Sequence, residues 1–206
     1  MHEHMLKVGV LGSGSGTNFQ AIIDNVAAGK VPAKIACVIS DVENALILER
    51  GRKHGIDAIY IPPGKYKTKL EKDVEAKYVK ALKDRGVGLV VLAGYMRMVK
   101  EELINGFPNR IINIHPSILP AFRGLEAWKQ ALEYGVKYTG CTVHFVEMDM
   151  DTGPIIMQAV VEVKDDDTPQ TLHQRIQVQE HRIYPEVIRL IAEGRLELRG
   201  RKVMKH

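Results

Sequence analysis

Asn113, His115, Asp149, Asp151 and Glu180 are the residues of this chain whose types and spacing suit proton and charge handling. Residues 113–117 read Asn-Ile-His-Pro-Ser and follow the apolar pair Ile111-Ile112, which has the character of a buried strand end. Side chains alternate along a strand, so Asn113 and His115 fall on one face. Pro116 ends the strand, because it has no N–H to give to a ladder. An amide donor and a titratable imidazole therefore sit together at a strand's C-terminal end, where open α/β sheets bind ligands. A lone Asn-x-His is also compatible with a hydrogen-bonded structural histidine, so its meaning depends on what else converges there.

Residues 12–18, Gly-Ser-Gly-Ser-Gly-Thr-Asn, offer a first companion. They follow an apolar run and precede a helical pattern. Glycines let backbone approach an anion, and the free N–H groups of a helix start attract negative charge. The loop lacks the Gly-Lys-Ser/Thr of a P-loop, and Thr17 stands where a dinucleotide fingerprint has its third glycine. A dinucleotide reading would also want an acid after the second strand, and Asp41 could serve.

Asp149 and Asp151 lie in a turn, Asp-Met-Asp-Thr-Gly-Pro, between two β-rich runs. A calcium loop fails on spacing, because Gly153 and Val160 occupy positions that need oxygen ligands. One Asp beside His115 would favour the imidazolium; His144 is a second histidine that could partner it, or simply be packed. Glu180 falls on the apolar stripe Leu172, Ile176, Ile183, Val187, Leu190, Ile191 of a long helical pattern. A carboxylate there needs a reason: an ion pair with Arg175 or Arg182, or a ligand.

The elements that must position these groups alternate. Strand-type runs at 6–11, 35–39, 58–61, 89–92 and 110–114 are separated by helical patterns at about 17–28, 43–53, 68–85 and 100–106. This predicts an α/β fold, a mostly parallel, Rossmann-like twisted sheet with helices on both faces. A helix at about 125–134, β runs at 139–146 and 155–163, a helix at about 169–193 and a basic end follow. Thr168-Pro169 suits the start of that helix, and Pro185 should kink it or shift its boundary. One domain over 1–206 is expected, with a nucleotide-type half, 1–115, and a half completing the site, 116–206.

Composition narrows the class. The 206 residues are 45% hydrophobic and 26% charged, with a net charge of +4. The positive excess sits largely in residues 195–205, which reads as a solvated tail and not as a nucleic-acid surface. Cys37 and Cys141 lie in apolar runs without metal or redox spacing, as expected of reduced buried thiols. No run approaches a membrane span, and Met1-His2-Glu3-His4 carries no apolar signal region. A cytoplasmic protein with small-molecule partners, neither nucleic acid nor membrane, is expected.

Taken together, these motifs resemble the phosphoribosylglycinamide formyltransferases, over nearly the whole chain. Gly14-Ser15-Gly16-Thr17-Asn18 is similar to their ribose-phosphate loop, and Asn113-Ile114-His115-Pro116-Ser117 to their catalytic strand end. Leu92-Ala93-Gly94-Tyr95-Met96-Arg97 is similar to their folate-side segment, and Gln177-Val178-Gln179-Glu180-His181, then Tyr184-Pro185, to their substrate helix. Asp151 sits where the family has its catalytic aspartate, and Lys69 matches a basic folate contact. Arg123-Gly124 resembles the tRNA- and sugar-formylating relatives, where Pro-Gly is also common in this family, and Asp151-Thr152-Gly153-Pro154 is shared with those relatives.

The resemblance implies the formyltransferase fold and formyl transfer from 10-formyltetrahydrofolate, as co-substrate and without a metal, to the phosphoribosylglycinamide amine in de novo purine (IMP) biosynthesis. It implies catalysis by Asn113, His115 and Asp151, and substrate binding by Gly16, Thr17, Asn18, Gln177, Val178, Gln179 and Glu180. It implies folate binding by Lys69, Met96, Arg97, Met98, Val99, Asn113, Glu147, Met148, Asp149, Met150 and Asp151. Asn113 and a cationic His115 would stabilise the oxyanion, with Asp151 keeping His115 protonated. A monomer or a homodimer is expected. A formyltetrahydrofolate hydrolase, which normally carries a further N-terminal regulatory domain, and a NAD-binding oxidoreductase are the alternatives. The tRNA-formylating relatives carry an added C-terminal domain that 206 residues do not hold.

Overall fold

In the computed structural model, residues 5–206 are described; Met1–His4, expected to carry no signal region, lie outside them. Strand β1 (Leu6–Leu11) leads into α1 (Thr17–Ala27), followed by β2 (Ala33–Ser40), α2 (Leu46–Lys53), β3 (Asp57–Tyr60) and α3 (Lys72–Asp84). Next come β4 (Leu89–Leu92), α4 (Glu101–Gly106), β5 (Ile111–His115) and α5 (Ala127–Tyr134). The chain continues through β6 (Tyr138–Phe145), β7 (Ile155–Glu162), α6 (Pro169–Ala192), β8 (Leu196–Arg199) and β9 (Lys202–Lys205).

Seven strands form one sheet in the order β3-β2-β1-β4-β5-β6-β7. The first five are parallel, while β6 and β7 run antiparallel at one end. Order reverses between β1 and β4, which puts a crevice above their carboxyl ends. The expected mostly parallel, two-sided sheet is observed. Apolar side chains alternate between its faces: Val8, Val10, Ile112 and Ile114 pack with α1 and α6, whereas Leu11, Val90, Leu92 and Ile111 pack with α3 and α4. Asn113 and His115 share the parity of Ile111.

Several boundaries differ from the sequence pattern. Residues 68–71 are not helical: Lys69 bridges to Met98, and α3 starts at Lys72. Residues 43–45 are likewise outside α2, whose N-cap Ala45 is extended. Pro185 neither ends α6 nor shifts its boundary; it lies buried inside a continuous helix capped by Thr168 and Thr171. The residues read as a solvated basic tail instead form the β8–β9 hairpin. Its Leu198 and Val203 pack on the core while the arginines and lysines point outward. The short alternation of that segment was masked by its charge.

Candidate active site

The carboxyl ends of β1, β4 and β5 carry the glycine loop, the 93–99 loop and the pair Asn113 and His115. Strand β5 pairs with β6 so that Asn113 opposes His144 and His115 opposes Thr142. Thr142 Oγ1 then donates to the Ser117 carbonyl (2.7 Å) and accepts from the Leu119 amide (3.1 Å), fixing the turn that Pro116 starts.

His115 is held by both ring nitrogens. Its Nε2 lies 2.8 Å from the Phe122 carbonyl oxygen. A carbonyl only accepts, so Nε2 carries the proton. Nδ1 faces Asp151 Oδ2 at 3.4 Å, with both side chains less than a tenth exposed. Asp151 has a left-handed backbone (φ 54°), and its Oδ2 accepts from the Gly124 amide at 3.0 Å. Gly153 closes the same turn: a Cβ there would lie 1.8 Å from the Phe145 carbonyl oxygen. His144, on the other side, has Nδ1 at 2.8 Å from the Phe145 carbonyl. Its Nε2 stands 3.4 Å from Asn113 Nδ2 and 3.7 Å from Asp151 Oδ1.

The electrostatics revise one expectation. Burial lowers the His115 pKa below its ordinary value of 6.5, and the Asp151 carboxylate raises it only partly. Desolvation thus works against the imidazolium that the neighbouring carboxylate at 3.4 Å favours. For Asp151, burial pushes upward, but His144, His115 and the Gly124 amide together bring its pKa below normal, so it is ionised.

The glycine loop leads from β1 into α1. Gly16, at φ 71°, has no room for a Cβ, which would lie 2.7 Å from Ile47. Its left-handed conformation turns the chain into the helix. No side chain caps α1, so the amides of Thr17 and Asn18, which have no intrahelical acceptor, face outward. Arg50 of α2 donates to the Ser15 carbonyl (2.7 Å) and adds positive charge beside the loop. Sequence reasoning missed Arg50, because nothing local marks it.

Glu180 is almost wholly buried, and its pairing with Arg175 or Arg182 does not occur. Arg175 binds Asp167, and Arg182 donates to Gln179. Glu180 Oε2 instead accepts from Asn18 Nδ2 at 2.8 Å, joining α6 to the glycine loop. Burial raises the Glu180 pKa, and Asn18 opposes that only in part. One turn later, the Tyr184 hydroxyl reaches the Leu92 and Ile112 carbonyls at 2.7 and 3.1 Å, which seats α6 against β4 and β5. Gln177 is half-buried on the Glu180 side, whereas the Val178 side chain is 65% exposed and lies apart from these contacts.

Apart from Asn113 on β5, the residues expected to contact folate fall on three segments: Lys69 before α3, 96–99 after β4 and 147–151 after β6. The Met98 amide donates to the Thr68 carbonyl (2.8 Å) and Val99 is buried. Lys69 Nζ lies over the Tyr66 ring at 4.9 Å. Lys100 reaches the Met148 carbonyl at 3.3 Å, bringing loop 96–100 to the exposed loop 147–150. Met96, Met148 and Met150 are exposed there, a deformable apolar surface. Arg97 does not point a free guanidinium outward: Nε donates to Asp41 Oδ2 at 2.6 Å and Nη1 to the Tyr66 carbonyl. Asp41 is thus occupied, and with it the ribose-binding role a dinucleotide site would need. Among the described residues, no group of three His, Cys, Asp or Glu is placed to hold a metal, and no helix is long and apolar enough to cross a membrane.

A nucleotide-type sheet with an imidazole–carboxylate pair and an amide at the β5 end defines a one-carbon transferase architecture, and residues 6–188 match the family described as Formyl transferase, to which this chain belongs. Within that family, the Bacillus subtilis phosphoribosylglycinamide formyltransferase is 40% identical over 90% of this chain and 94% of its own length. The crystal structure of glycinamide ribonucleotide transformylase 1 from Symbiobacterium toebii superposes with a TM-score of 0.95 at 53% identity, covering 99% of this chain and 95% of that one. The human trifunctional purine biosynthetic protein adenosine-3 is 41% identical, and the chain spans 19% of its length. A formyltetrahydrofolate deformylase from Pseudomonas syringae shares the fold (TM-score 0.90) at 26% identity, and the chain covers 66% of it.

Proposed function

We propose that this chain transfers the formyl group of 10-formyltetrahydrofolate to the amine of phosphoribosylglycinamide, giving the N-formyl product and tetrahydrofolate in purine biosynthesis. One observation carries the choice of acceptor: the Asn18–Glu180 hydrogen bond sets a buried carboxylate against a helix start left open for a phosphate. A phosphorylated amine satisfies both, because the phosphate takes the amides of Gly16, Thr17 and Asn18 and the amine side faces Glu180. Water as acceptor, in a hydrolase, uses neither.

The substrate amine attacks the formyl carbon, and its carbonyl oxygen becomes an oxyanion. Asn113 Nδ2 donates to it. Neutral His115, with Nε2–H committed to Phe122, offers Nδ1 as the base that takes the proton lost by the amine. Asp151, ionised beside Nδ1, stabilises the imidazolium so formed. His115 returns that proton to N10 of the folate as the carbon–nitrogen bond breaks, and the proton count closes. The donor's flat ring lies against loops 96–99 and 147–151, with Lys69 near its carboxylate end. Residues 1–206 act as one unit, in which 1–115 hold the phosphate and 116–206 complete the amine and folate sites. Every named group comes from one chain, so the reading applies equally to a monomer and to a homodimer.

Product analysis tests the reading. Incubation with 10-formyltetrahydrofolate and phosphoribosylglycinamide should yield formylated amine in step with tetrahydrofolate. Release of free formate at an equal rate with and without the amine would identify a hydrolase instead.

A further inference from the structure

Asp41 lies outside the catalytic constellation, yet it is built into the site's foundation. It follows β2, its side chain is 3% exposed, and both carboxylate oxygens are used. Oδ1 accepts from the Ser13 hydroxyl of the glycine loop at 2.5 Å. Oδ2 accepts from Arg97 Nε at 2.6 Å, and Arg97 also donates to the Tyr66 carbonyl. Ser13 is in turn bonded to the folate-side segment twice: its Oγ accepts from the Met96 amide (3.0 Å) and its amide donates to the Gly94 carbonyl (3.0 Å). Four segments, the glycine loop, the end of β2, the 64–68 loop and the 94–99 loop, thus meet at one carboxylate.

We infer that Asp41 is a positioning residue for the formyl donor, acting through Arg97 and Ser13 to lock the 94–99 loop to the glycine loop. The reasoning is physical. Arg97 is mostly buried, so removing its partner leaves an uncompensated charge that must rotate toward water. Its grip on the 64–68 loop goes with it, and the donor-facing backbone at 96–98 loses the anchor that sets its distance from β5. The phosphate cradle keeps its own supports, since Gly12 and Ile47 hold the loop through the Ile39 and Gly14 carbonyls. The inference rests on the formyl-transfer reading, and wild-type turnover, measured first, decides that reading separately.

The test is steady-state kinetics with both substrates varied. Asp41→Asn keeps an acceptor for Ser13 but turns an amide N–H₂ toward the guanidinium. It should raise KM for 10-formyltetrahydrofolate about tenfold, while kcat and KM for phosphoribosylglycinamide stay within about threefold. Arg97→Met should raise the same KM, and the double variant should be no worse than the more affected single one, because both remove one interaction. Asp41→Ala, which also frees Ser13, should raise both KM values. A merely structural role would lower the melting temperature and the active fraction and leave the folate KM unchanged, and that result overturns the inference. So does an effect of Arg97→Met without one of Asp41→Asn, which would put the guanidinium on the donor itself. Additive effects in the double variant would overturn it too. If Asp41→Asn does not fold, Arg97→Met with Ser13→Ala repeats the cycle from the other two partners, and additivity there is again the negative result.

Discussion

Asn18 and Glu180, 162 residues apart in the chain, are joined by a 2.8 Å hydrogen bond that crosses from the glycine loop to the last long helix. A carboxylate in that position costs stability. Its raised pKa means that the folded protein disfavours the ionised form. Relative to an uncharged side chain, the stability Glu180 permits is fully present below its unfolded pKa, near 4.5, and lost as pH rises through the higher folded value. Glu180→Gln should therefore melt higher than the native protein at pH 7.5, with the gap closing toward pH 4. The same variant should bind phosphoribosylglycinamide about 2 kcal/mol more weakly, near thirtyfold, by calorimetry. Unchanged binding would remove Glu180 from the substrate site.

In the proposed mechanism, Asp151 stabilises a charge that forms only during turnover. Asp151→Asn is expected to lower kcat by at least about a hundredfold, with affinity for the phosphorylated substrate within threefold. It should also drop the His115 pKa further, because the Asp151 carboxylate is the main group raising it. Proton titration of the His115 ring by NMR reads that shift directly, and an upward movement would contradict the assignment.

His115 also predicts an acid sensitivity. Its folded pKa lies below 6.5, so the unfolded chain binds more protons just under that pH. Stability from keeping the ring neutral is fully present above pH 6.5 and is lost as pH falls through the lowered folded value. His173 and His181 are lowered by burial in the same direction. Urea melts between pH 7.5 and 5 should show falling stability, and His115→Gln should flatten the slope without abolishing it. An unchanged slope in that variant would mean the His115 ring is not buried neutral.

Gly153→Ala should destabilise the protein by about 3 kcal/mol, since its Cβ meets the Phe145 carbonyl at 1.8 Å and backbone must give way. Chemical denaturation measures it; a change under 0.5 kcal/mol would mean the turn relaxes freely.

Local patterns carried much of this site into view. Asn113, His115 and the glycine loop are marked by alternation and by glycine spacing. Glu180 is marked by being a charge on an apolar stripe. The remainder is long-range or has no side-chain identity. The Phe122 carbonyl and the Gly124 amide are backbone groups, so no residue type announces them. Arg50 and the Asp41–Arg97 pair are polar residues among many, and only tertiary contact separates them from a solvated surface. The pull of burial on His115 was hidden for a related reason: sequence shows the neighbouring acid but not the depth of burial. The terminal hairpin was hidden because its outward face is so rich in charge.

The clash at Gly153 has an evolutionary corollary. In this chain backbone geometry imposes Gly153 on the β6–β7 turn that aims Asp151 at His115 on β5. Enzymes that formylate different acceptors can then inherit it unchanged. The most recognisable signature of the site is therefore silent about the acceptor, and selectivity is free to diverge on α6 and the glycine loop while the reaction centre stays fixed.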